Sequence, residues 1–346
     1  MRSMVEGFFR HPKNPSTALR AVPLPRKAGG GIKGEEKCMD YQALVDEVLS
    51  DVSAYRGQGK VASYIPALAE ADPKKLGLAL VLKDGSSFVA GDADEAFSIQ
   101  SISYVFALCL ALHHVKASLW NHVGREPAGS PVNSIIQLEM EKGRPRNPMT
   151  SAGALVVCDQ LVTAAGGADA AVGELVGFLR ERCGDDKVAI DESLAMSESR
   201  AGAFNRSLAH FVAAFGNLAN PVEPVLSAYY RQCSVAMTCR QLAKAGLFLA
   251  FDGVDPRTGD AVTVASRSRR INALMLTSGH YDNSGDFAFR VGLPGKSAMS
   301  GGLLAIAPGH GAVCAWSPGL NSAGTSLAGA MALERLVDKT GWSVFV

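Results

Sequence analysis

Strand-like segments lie near the two ends of this chain, and this distribution constrains its fold more than any other feature. Residues 78–82 form a continuous apolar run, Asp84-Gly85 is typical of a tight turn, and residues 87–90 read as the returning strand. Three further strands are predicted over residues 287–293, 303–307 and 312–316. A sheet started by the first hairpin and completed by C-terminal strands is the expected result.

The segment between these strands has helical periodicity interrupted by glycine and proline. Helices are predicted over residues 101–117, 151–165, 167–183, 199–215, 224–234, 238–251 and 267–278. An amphipathic helix carrying Leu44, Val45 and Val48, and a last helix over residues 326–337, flank the sheet segments. We therefore expect an α/β (α+β) fold. Its sheet layer would cover about residues 37–96 and 280–346, and a helical subdomain about residues 97–279, with the active site between them.

The first 36 residues have a different composition from the rest. They are rich in arginine, lysine, proline and glycine and show little periodicity, so we expect a disordered N-terminal extension. Basic, acid-poor N-termini include transit peptides, but the prolines at positions 12, 15, 23 and 25 are unfavourable for an amphipathic helix.

Charge and cysteine content narrow the class of protein. A formal net charge of +1 gives no sign of a nucleic-acid or membrane partner. The seven cysteines are scattered, mostly inside apolar runs, so we expect a reducing, cytoplasmic location. No metal-ligand spacing occurs, and no uncharged apolar run reaches about 18 residues, so neither a metal site nor a membrane span is expected.

The segment over residues 97–112 is the candidate for chemistry. Ser98, Gln100, Ser101 and Ser103 precede or open an apolar run, which is the pattern of a polar loop entering a buried helix. A serine at such a helix start lies beside unpaired N–H groups, which can hold a developing oxyanion. Such a serine is either a helix cap or an acyl-transfer nucleophile.

The amino-acid sequence of this segment resembles the active-site segment of the serine-dependent glutaminases. Their pattern is Q-S-I-S-K-V, and this chain reads Q-S-I-S-Y-V over residues 100–105. The resemblance implies a β-lactamase/transpeptidase-like fold, with an antiparallel sheet flanked by helices plus a helical subdomain. It also places the nucleophile at Ser101. The lysine that helps to activate that serine would fall at position 104, where this chain has Tyr104.

Further segments resemble the same family in the family's order, from about residue 40 to residue 340. They imply catalytic roles for Tyr64 in V-A-S-Y-I-P and Tyr281 in H-Y-D-N-S-G, together with Ser101 and the position of Tyr104. The Met299 N–H, within L-P-G-K-S-A-M-S-G-G, would be the second oxyanion donor. The resemblance assigns substrate binding to Ser101, Asn133, Glu198, Asn205, Tyr229, Tyr281 and Met299.

These residue types suit free glutamine. The α-ammonium of glutamine requires a buried acid, which Glu198 would supply, and Asn133, Asn205 and the tyrosines offer hydrogen bonds. The family's reaction is hydrolysis of L-glutamine to L-glutamate and ammonia through a glutamyl ester on Ser101. No cofactor or metal is implied, and a homodimer or homotetramer is expected by resemblance. Taken singly, Glu198 could be a solvated helix residue, Asn133 a turn residue, and Lys296 a surface turn.

Several positions depart from the family. Tyr104 replaces the lysine, Ala298 a glycine and Met299 a valine, and Phe204 stands where arginine is usual. A phenol in water has a pKa of about 10 and is a base only when ionised. Two alternatives therefore stay open: a glutamine-binding protein with little or no catalysis, and a β-lactamase-like serine hydrolase.

Overall fold

The computed structural model describes residues 39–129 and 134–345. Their centre is a five-stranded antiparallel sheet in the order β2-β1-β8-β7-β6, and a second sheet has the order β3-β5-β4. The strands are β1 (Gly77–Leu82), β2 (Ser87–Gly91), β3 (Phe97–Ser98), β4 (Ala189–Ile190), β5 (Val235–Met237), β6 (Gly295–Ser297), β7 (Gly302–Ala307) and β8 (Gly311–Trp316).

Helices make up most of the remaining described chain. They are α1 (Tyr41–Asp51), α2 (Pro66–Ala69), α3 (Ser103–His114), α4 (Ile135–Met140), α5 (Ser151–Ala165), α6 (Ala168–Cys183), α7 (Glu192–Ala201), α8 (Ala203–Ala214), α9 (Val222–Cys233), α10 (Cys239–Gly246), α11 (Ala265–Ser278), α12 (Ser284–Arg290) and α13 (Leu327–Thr340).

The main sheet is covered by helices on both faces. Leu78 and Leu80 of β1 belong to the core formed with α1 and α13. Ala79 and Val81 of the same strand belong to the larger core formed with the helices of the central block. Successive side chains of a strand point to opposite faces, so a strand buried on both faces needs an unbroken apolar run. This is why residues 78–82 could be recognised as a strand.

The α/β fold with an antiparallel sheet is confirmed, and the strands over residues 303–307 and 312–316 correspond to β7 and β8. The prediction of a strand over residues 287–293 is wrong, because this segment lies mainly in α12. Its alternating phenylalanines imitate a strand, but Ser284 and Phe287 are the buried residues of α12, and Val291 just after the helix is buried on the same side. Their spacing of three and four residues is that of a helix face, and Phe289 is 90% exposed.

Several helix limits also differ from prediction. The helix predicted over residues 199–215 is two helices, α7 and α8, separated at Gly202. A Cβ at Gly202 would collide with the Tyr230 hydroxyl, so the tyrosine packs directly against the backbone there. The segment predicted over residues 238–251 is α10 followed by a 3₁₀ turn. Helix α4 and the small sheet were not predicted.

Three further predictions concern compartment and organisation. The proposed N-terminal extension, residues 1–36, lies outside the described residues. Within the described residues, no single helix has the length and apolar character needed to cross a membrane; α5 and α6 reach that threshold only as a pair, bent by 101°. The described cysteines, Cys109, Cys158, Cys183, Cys233, Cys239 and Cys314, are free and buried. The limits of the sheet layer and helical subdomain stay predictions.

Candidate active site

Ser101 lies where the central helix meets the edge of the main sheet. It belongs to a 3₁₀ turn, Gln100–Ile102, that leads directly into α3. Its side chain is buried, and its hydroxyl donates to the backbone carbonyl of Ser297 in β6 at 3.0 Å. The Tyr281 hydroxyl donates to Ser101 Oγ at 2.8 Å. The structure therefore brings Ser101 and Tyr281, two of the predicted catalytic residues, into direct contact.

The backbone is strained beside both hydroxyl groups. Gln100, which precedes the serine, has φ +45°, and Tyr281 has φ +57°. Residues other than glycine rarely adopt these left-handed values, because Cβ then crowds the backbone. Such residues cluster at functional sites, where the surrounding structure imposes them. This strain gave no signal in the sequence.

The Tyr104 hydroxyl forms no hydrogen bond with Ser101. That hydroxyl lies 2.6 Å from the Tyr229 hydroxyl, and Tyr104 is buried. Burial raises the pKa of the Tyr104 phenol well above its ordinary value, and the neighbouring Tyr229 adds to the effect. Helical spacing predicted that Tyr104 would lie on the same side of the helix as Ser101. Both residues do line one cavity, but the Tyr104 hydroxyl is paired with Tyr229. The described hydrogen bond of the Tyr104 hydroxyl is thus to Tyr229 and not to Ser101.

Glu198, in α7, is a buried carboxyl group without a cationic partner among the described residues. Only 5% of the residue is exposed, and the Gln100 side-chain amide donates to its Oε1. Burial raises the pKa of Glu198 to about 7, and the Gln100 hydrogen bond partly opposes this effect. The reading of Glu198 as a solvated helix residue is therefore wrong. A buried carboxylate of this kind is a ready partner for a ligand's cationic group.

One cavity of about 290 Å³ collects most of the predicted residues. Its lining includes Tyr64, Ser101, Tyr104, Glu198, Asn205, Tyr229, Tyr281 and Met299. Tyr64 is 57% exposed. Asn133, the remaining predicted binding residue, lies outside the described residues.

The same cavity contains residues that sequence reasoning did not assign to the site. Gln100, Ser151 and Cys233 also line it. Gln100 could have been suspected, because it stands next to the serine in a segment otherwise entering the core. Ser151 and Cys233 come from α5 and α9, and nothing in the sequence marks them.

Lys296 is fully buried in β6 directly behind these residues. Its Nζ donates to the carbonyls of Ser297, at 2.7 Å, and Gly279, at 3.0 Å. It also lies 4.1 Å from the centre of the Tyr281 ring. Burial lowers the pKa of Lys296 well below its ordinary value. The alternative reading of Lys296 as a surface turn is thus wrong.

The arrangement is suited to acyl transfer. A serine hydroxyl, hydrogen-bonded to a tyrosine, opens into a small cavity that also holds a buried acid. The backbone N–H of Met299, in the cavity wall, donates to no acceptor among the described residues and is free to donate to an oxyanion. No group of three or more histidine, cysteine or acidic side chains able to hold a metal occurs in the described part of the chain.

Comparison with known proteins gives one consistent result. The glutaminase family model matches residues 59–345. A glutaminase of Rhizobium rhizogenes is 54% identical over 306 residues, which cover 88% of this chain and 99% of the relative. A thermolabile glutaminase of Rhizobium etli is equally similar, with the same coverage of both chains.

Solved structures agree with the sequence relatives. The probable glutaminase ybaS superposes with a TM-score of 0.83 at 33% identity, covering 88% of this chain and 97% of that one. A probable glutaminase from Bacillus subtilis, complexed with 6-diazo-5-oxo-L-norleucine, has a TM-score of 0.80 at 29% identity. That superposition covers 89% of this chain and 98% of the other. These neighbours have the β-lactamase-like fold.

The raised pKa of Glu198 predicts how stability depends on pH. The folded protein binds the proton of the Glu198 carboxyl group more tightly than the unfolded chain does. The contribution of this proton to folding stability is therefore complete below about pH 4.5 and is lost as pH rises through about 7. Glu198→Gln keeps the shape but stays neutral. We expect the variant to be more stable than the parent at pH 8, by up to about 3 kcal/mol, with little difference at pH 5.

Thermal melts between pH 5 and pH 8 measure this difference. Glu139→Gln is the matched control, because Glu139 is exposed on α4. If the difference in melting temperature between the parent and Glu198→Gln were the same at every pH in this range, Glu198 would not be a buried, unpaired acid.

Proposed function

Because the chain belongs to the glutaminase family of amidohydrolases, we propose that it hydrolyses L-glutamine to L-glutamate and ammonia through a glutamyl ester on Ser101. The observation that carries this proposal is that two different reactive groups lie in one cavity. The hydrogen-bonded hydroxyl of Ser101 and the carboxyl of Glu198, which lacks a cationic partner among the described residues, both line it. The first suits the side-chain amide of glutamine, and the second suits its α-ammonium group.

The head group of glutamine is held at the Glu198 side of the cavity. Glu198, once ionised, pairs with the α-ammonium, and a charge-assisted hydrogen bond in a buried site is stronger than one between neutral groups. Asn205 and Tyr229 line the same cavity, and their side-chain amide and hydroxyl groups are assigned to the α-carboxylate. Asn133 is assigned to the same head group on sequence grounds.

Acylation starts with attack of Ser101 Oγ on the side-chain amide carbon. The new C–O bond forms as the carbonyl electron pair moves to oxygen, and the N–H groups of Ser101 and Met299 stabilise this oxyanion. The Ser101 proton passes to the Tyr281 oxygen, while the Tyr281 proton passes to the amide nitrogen. The C–N bond then breaks and ammonia leaves.

Deacylation uses the same groups in reverse. Water attacks the glutamyl ester, gives its proton to Tyr281, and Tyr281 returns a proton to Ser101 as the C–O bond breaks. Tyr64 is assigned to proton exchange between the cavity and solvent, because it lines the cavity and is 57% exposed.

Tyr104 is assigned to positioning and not to proton removal. Its hydroxyl pairs with that of Tyr229, a residue assigned to the head group. This arrangement leaves Ser101 without the lysine that the family pattern has at position 104. The same observation favours a second candidate function, namely glutamine binding with little or no turnover.

Assembly and location stay predictions. The neighbours' titles do not state an oligomeric form for this chain, and the expected homodimer or homotetramer is supported by exposed apolar side chains such as Phe289, Ile136 and Met140. Light scattering would test the assembly, and cell fractionation would test the cytoplasmic location.

Substrate length tests the proposed reaction. The asparagine side chain is shorter by one carbon–carbon bond, roughly 1.5 Å. With the head group held by Glu198, its amide would fall short of Ser101, and a misplacement of this size can cost about 10²-fold. We expect ammonia release from glutamine to exceed that from asparagine by at least that factor. Equal rates with the two amides would show that the head-group assignment is wrong.

Substitution of Glu198 tests the head-group site directly. Glu198→Gln should weaken glutamine binding by roughly 2 to 5 kcal/mol, the range for removing one partner of a buried charged pair. Binding to the parent should also weaken as pH falls through about 7, because Glu198 becomes protonated, and the variant should lack this dependence. Calorimetry between pH 6 and pH 8 measures both. An unchanged dissociation constant would remove Glu198 from the site.

Substitution of Tyr104 tests how the serine is activated. Tyr104→Lys should raise kcat by roughly 10² to 10⁴-fold, the usual contribution of general base assistance. The gain should disappear when Ser101→Ala is added, since both residues serve one step. Steady-state ammonia release measures these rates.

Tyr104→Phe is the matched control. It removes the hydrogen bond to Tyr229 but adds no amine, so kcat should change little, while glutamine binding weakens by about 1 kcal/mol. A large fall in kcat for Tyr104→Phe would instead make the Tyr104 hydroxyl part of the proton path.

A further inference from the structure

A second cavity, of about 400 Å³, shares a wall residue with the active-site cavity. Met299 lines both cavities, and no other described residue assigned to the proposed reaction lines the second one. Its described lining residues include no tyrosine, histidine or cysteine. The wall therefore lacks the usual nucleophiles and bases of these types, and the cavity is suited to binding an occupant without transforming it.

The inner wall of this second cavity is apolar and aromatic. The rings of Phe97, in β3, and Trp316, in β8, are stacked with their centres 5.0 Å apart and an angle of 6° between their planes. Both residues are buried, as are Leu68 and Leu194 in the same wall. A preformed aromatic wall of this kind favours a flat, apolar group on the ligand.

One polar side chain of the inner wall lacks a partner. Ser300 lines the cavity and is only 8% exposed, and its hydroxyl forms no hydrogen bond with any described residue. The Trp316 indole N–H donates to the Ser300 carbonyl at 3.1 Å, which holds this serine beside the aromatic pair. A buried hydroxyl without a partner costs free energy, so a ligand with a hydrogen-bonding group on its ring would be stabilised here.

The mouth of the cavity is acidic. Its described charged residues are four exposed acids and one lysine, namely Glu70, Asp72, Glu95, Asp191 and Lys75. Lys75 pairs with Glu95 at 2.5 Å. No lysine, arginine or histidine side chain of the described residues pairs with the other three carboxylates of the mouth. Charges of one sign around a cleft attract ligands of the opposite sign, so this mouth favours a cation.

We propose that this cavity is a second ligand site, which binds a small aromatic amine. The ring of the ligand packs in the wall formed by Phe97 and Trp316, a ring N–H donates to the Ser300 hydroxyl, and the protonated amine lies at the acidic mouth. A carboxylate on the same molecule would be repelled at the mouth, so free aromatic amino acids are excluded. The inference is independent of the proposed reaction, because no catalytic side chain takes part in it.

Tryptamine is the probe that tests this site, because it joins an indole ring with an N–H group to a primary amine. Calorimetry on the full chain at pH 7 and low salt, without glutamine, should show one site per chain with a Kd below about 1 mM, as expected for a ligand of this size. Indole-3-propionate has the same ring with an acid in place of the amine, and spermidine has amines without a ring. Each should bind at least about tenfold more weakly than tryptamine.

Substitutions at the mouth test the position of the amine. Glu70→Gln combined with Asp72→Asn removes two charges and keeps the shape of both side chains. The Kd of tryptamine should rise about tenfold, because each exposed charge contributes a few-fold. The matched control is Glu139→Gln combined with Asp186→Asn, which makes the same change in net charge at exposed acids outside the cavity. This control should leave the Kd unchanged.

A substitution in the inner wall tests the position of the ring. Ser300→Ala removes a hydroxyl that has no partner among the described residues, so the melting temperature should not fall. The Kd of tryptamine should rise about fivefold, the usual effect of losing one hydrogen bond. The Kd of 1-methyltryptamine, which lacks the ring N–H, should be the same in the parent and in Ser300→Ala.

The active-site cavity is the competing location, because the buried carboxyl of Glu198 also suits an amine. Glu198→Gln should leave the Kd of tryptamine unchanged if the second cavity is the site. Loss of binding in Glu198→Gln would place tryptamine in the active site and overturn the proposal. Absence of tryptamine binding, equal binding of the three probes, or equal Kd values for the parent and the mouth variant would overturn it as well.

Discussion

The carbonyl group of Ser297 joins the two halves of the site. It accepts hydrogen bonds from the Ser101 hydroxyl at the start of α3 and from Lys296 Nζ in its own strand. Because β6 is an edge strand of the main sheet, this carbonyl can face the helical block and need not pair within the sheet. The nucleophile is thus fixed relative to the sheet, and Tyr281 reaches it from the turn after α11.

Two buried ionisable groups, Glu198 and Lys296, lie around the cavity without pairing with each other. Glu198 is bonded to Gln100, and Lys296 is bonded to two carbonyls behind Tyr281. Each costs folding free energy, since neither has an ionic partner among the described residues. The proposed reaction accounts for Glu198, which pairs with the substrate ammonium.

Tyr104 shows how one substitution changes a site without disrupting it. In the family pattern this position carries a lysine, and here a tyrosine fills the space and bonds to Tyr229. Glu198, Asn205 and Tyr229 line one cavity with Ser101 and Tyr104, and the proposed function assigns positioning and not proton removal to Tyr104. The hydroxyl groups of Ser101 and Tyr281 are hydrogen-bonded to each other, and the backbone at Gln100 and Tyr281 is strained.

The sequence by itself determined the fold class, the family, and most of the residues that line the cavity. Ser101, Glu198 and Tyr281 could be named in advance because they stand in short motifs with fixed order and spacing. Strands β1, β7 and β8 could be predicted because burial on both faces requires unbroken apolar runs. The segment over residues 287–293 was misread as a strand, because which phenylalanine is buried depends on what packs against it.

Only the tertiary structure decided the state and the partners of the charged groups. The burial of Glu198 and Lys296, the Tyr104–Tyr229 hydrogen bond, and the shared Ser297 carbonyl all join residues far apart in the chain. Periodicity and local motifs report on neighbours within a few residues. The energies of desolvation and of long-range hydrogen bonds depend on the packing of whole elements, and for that reason they were settled by the fold.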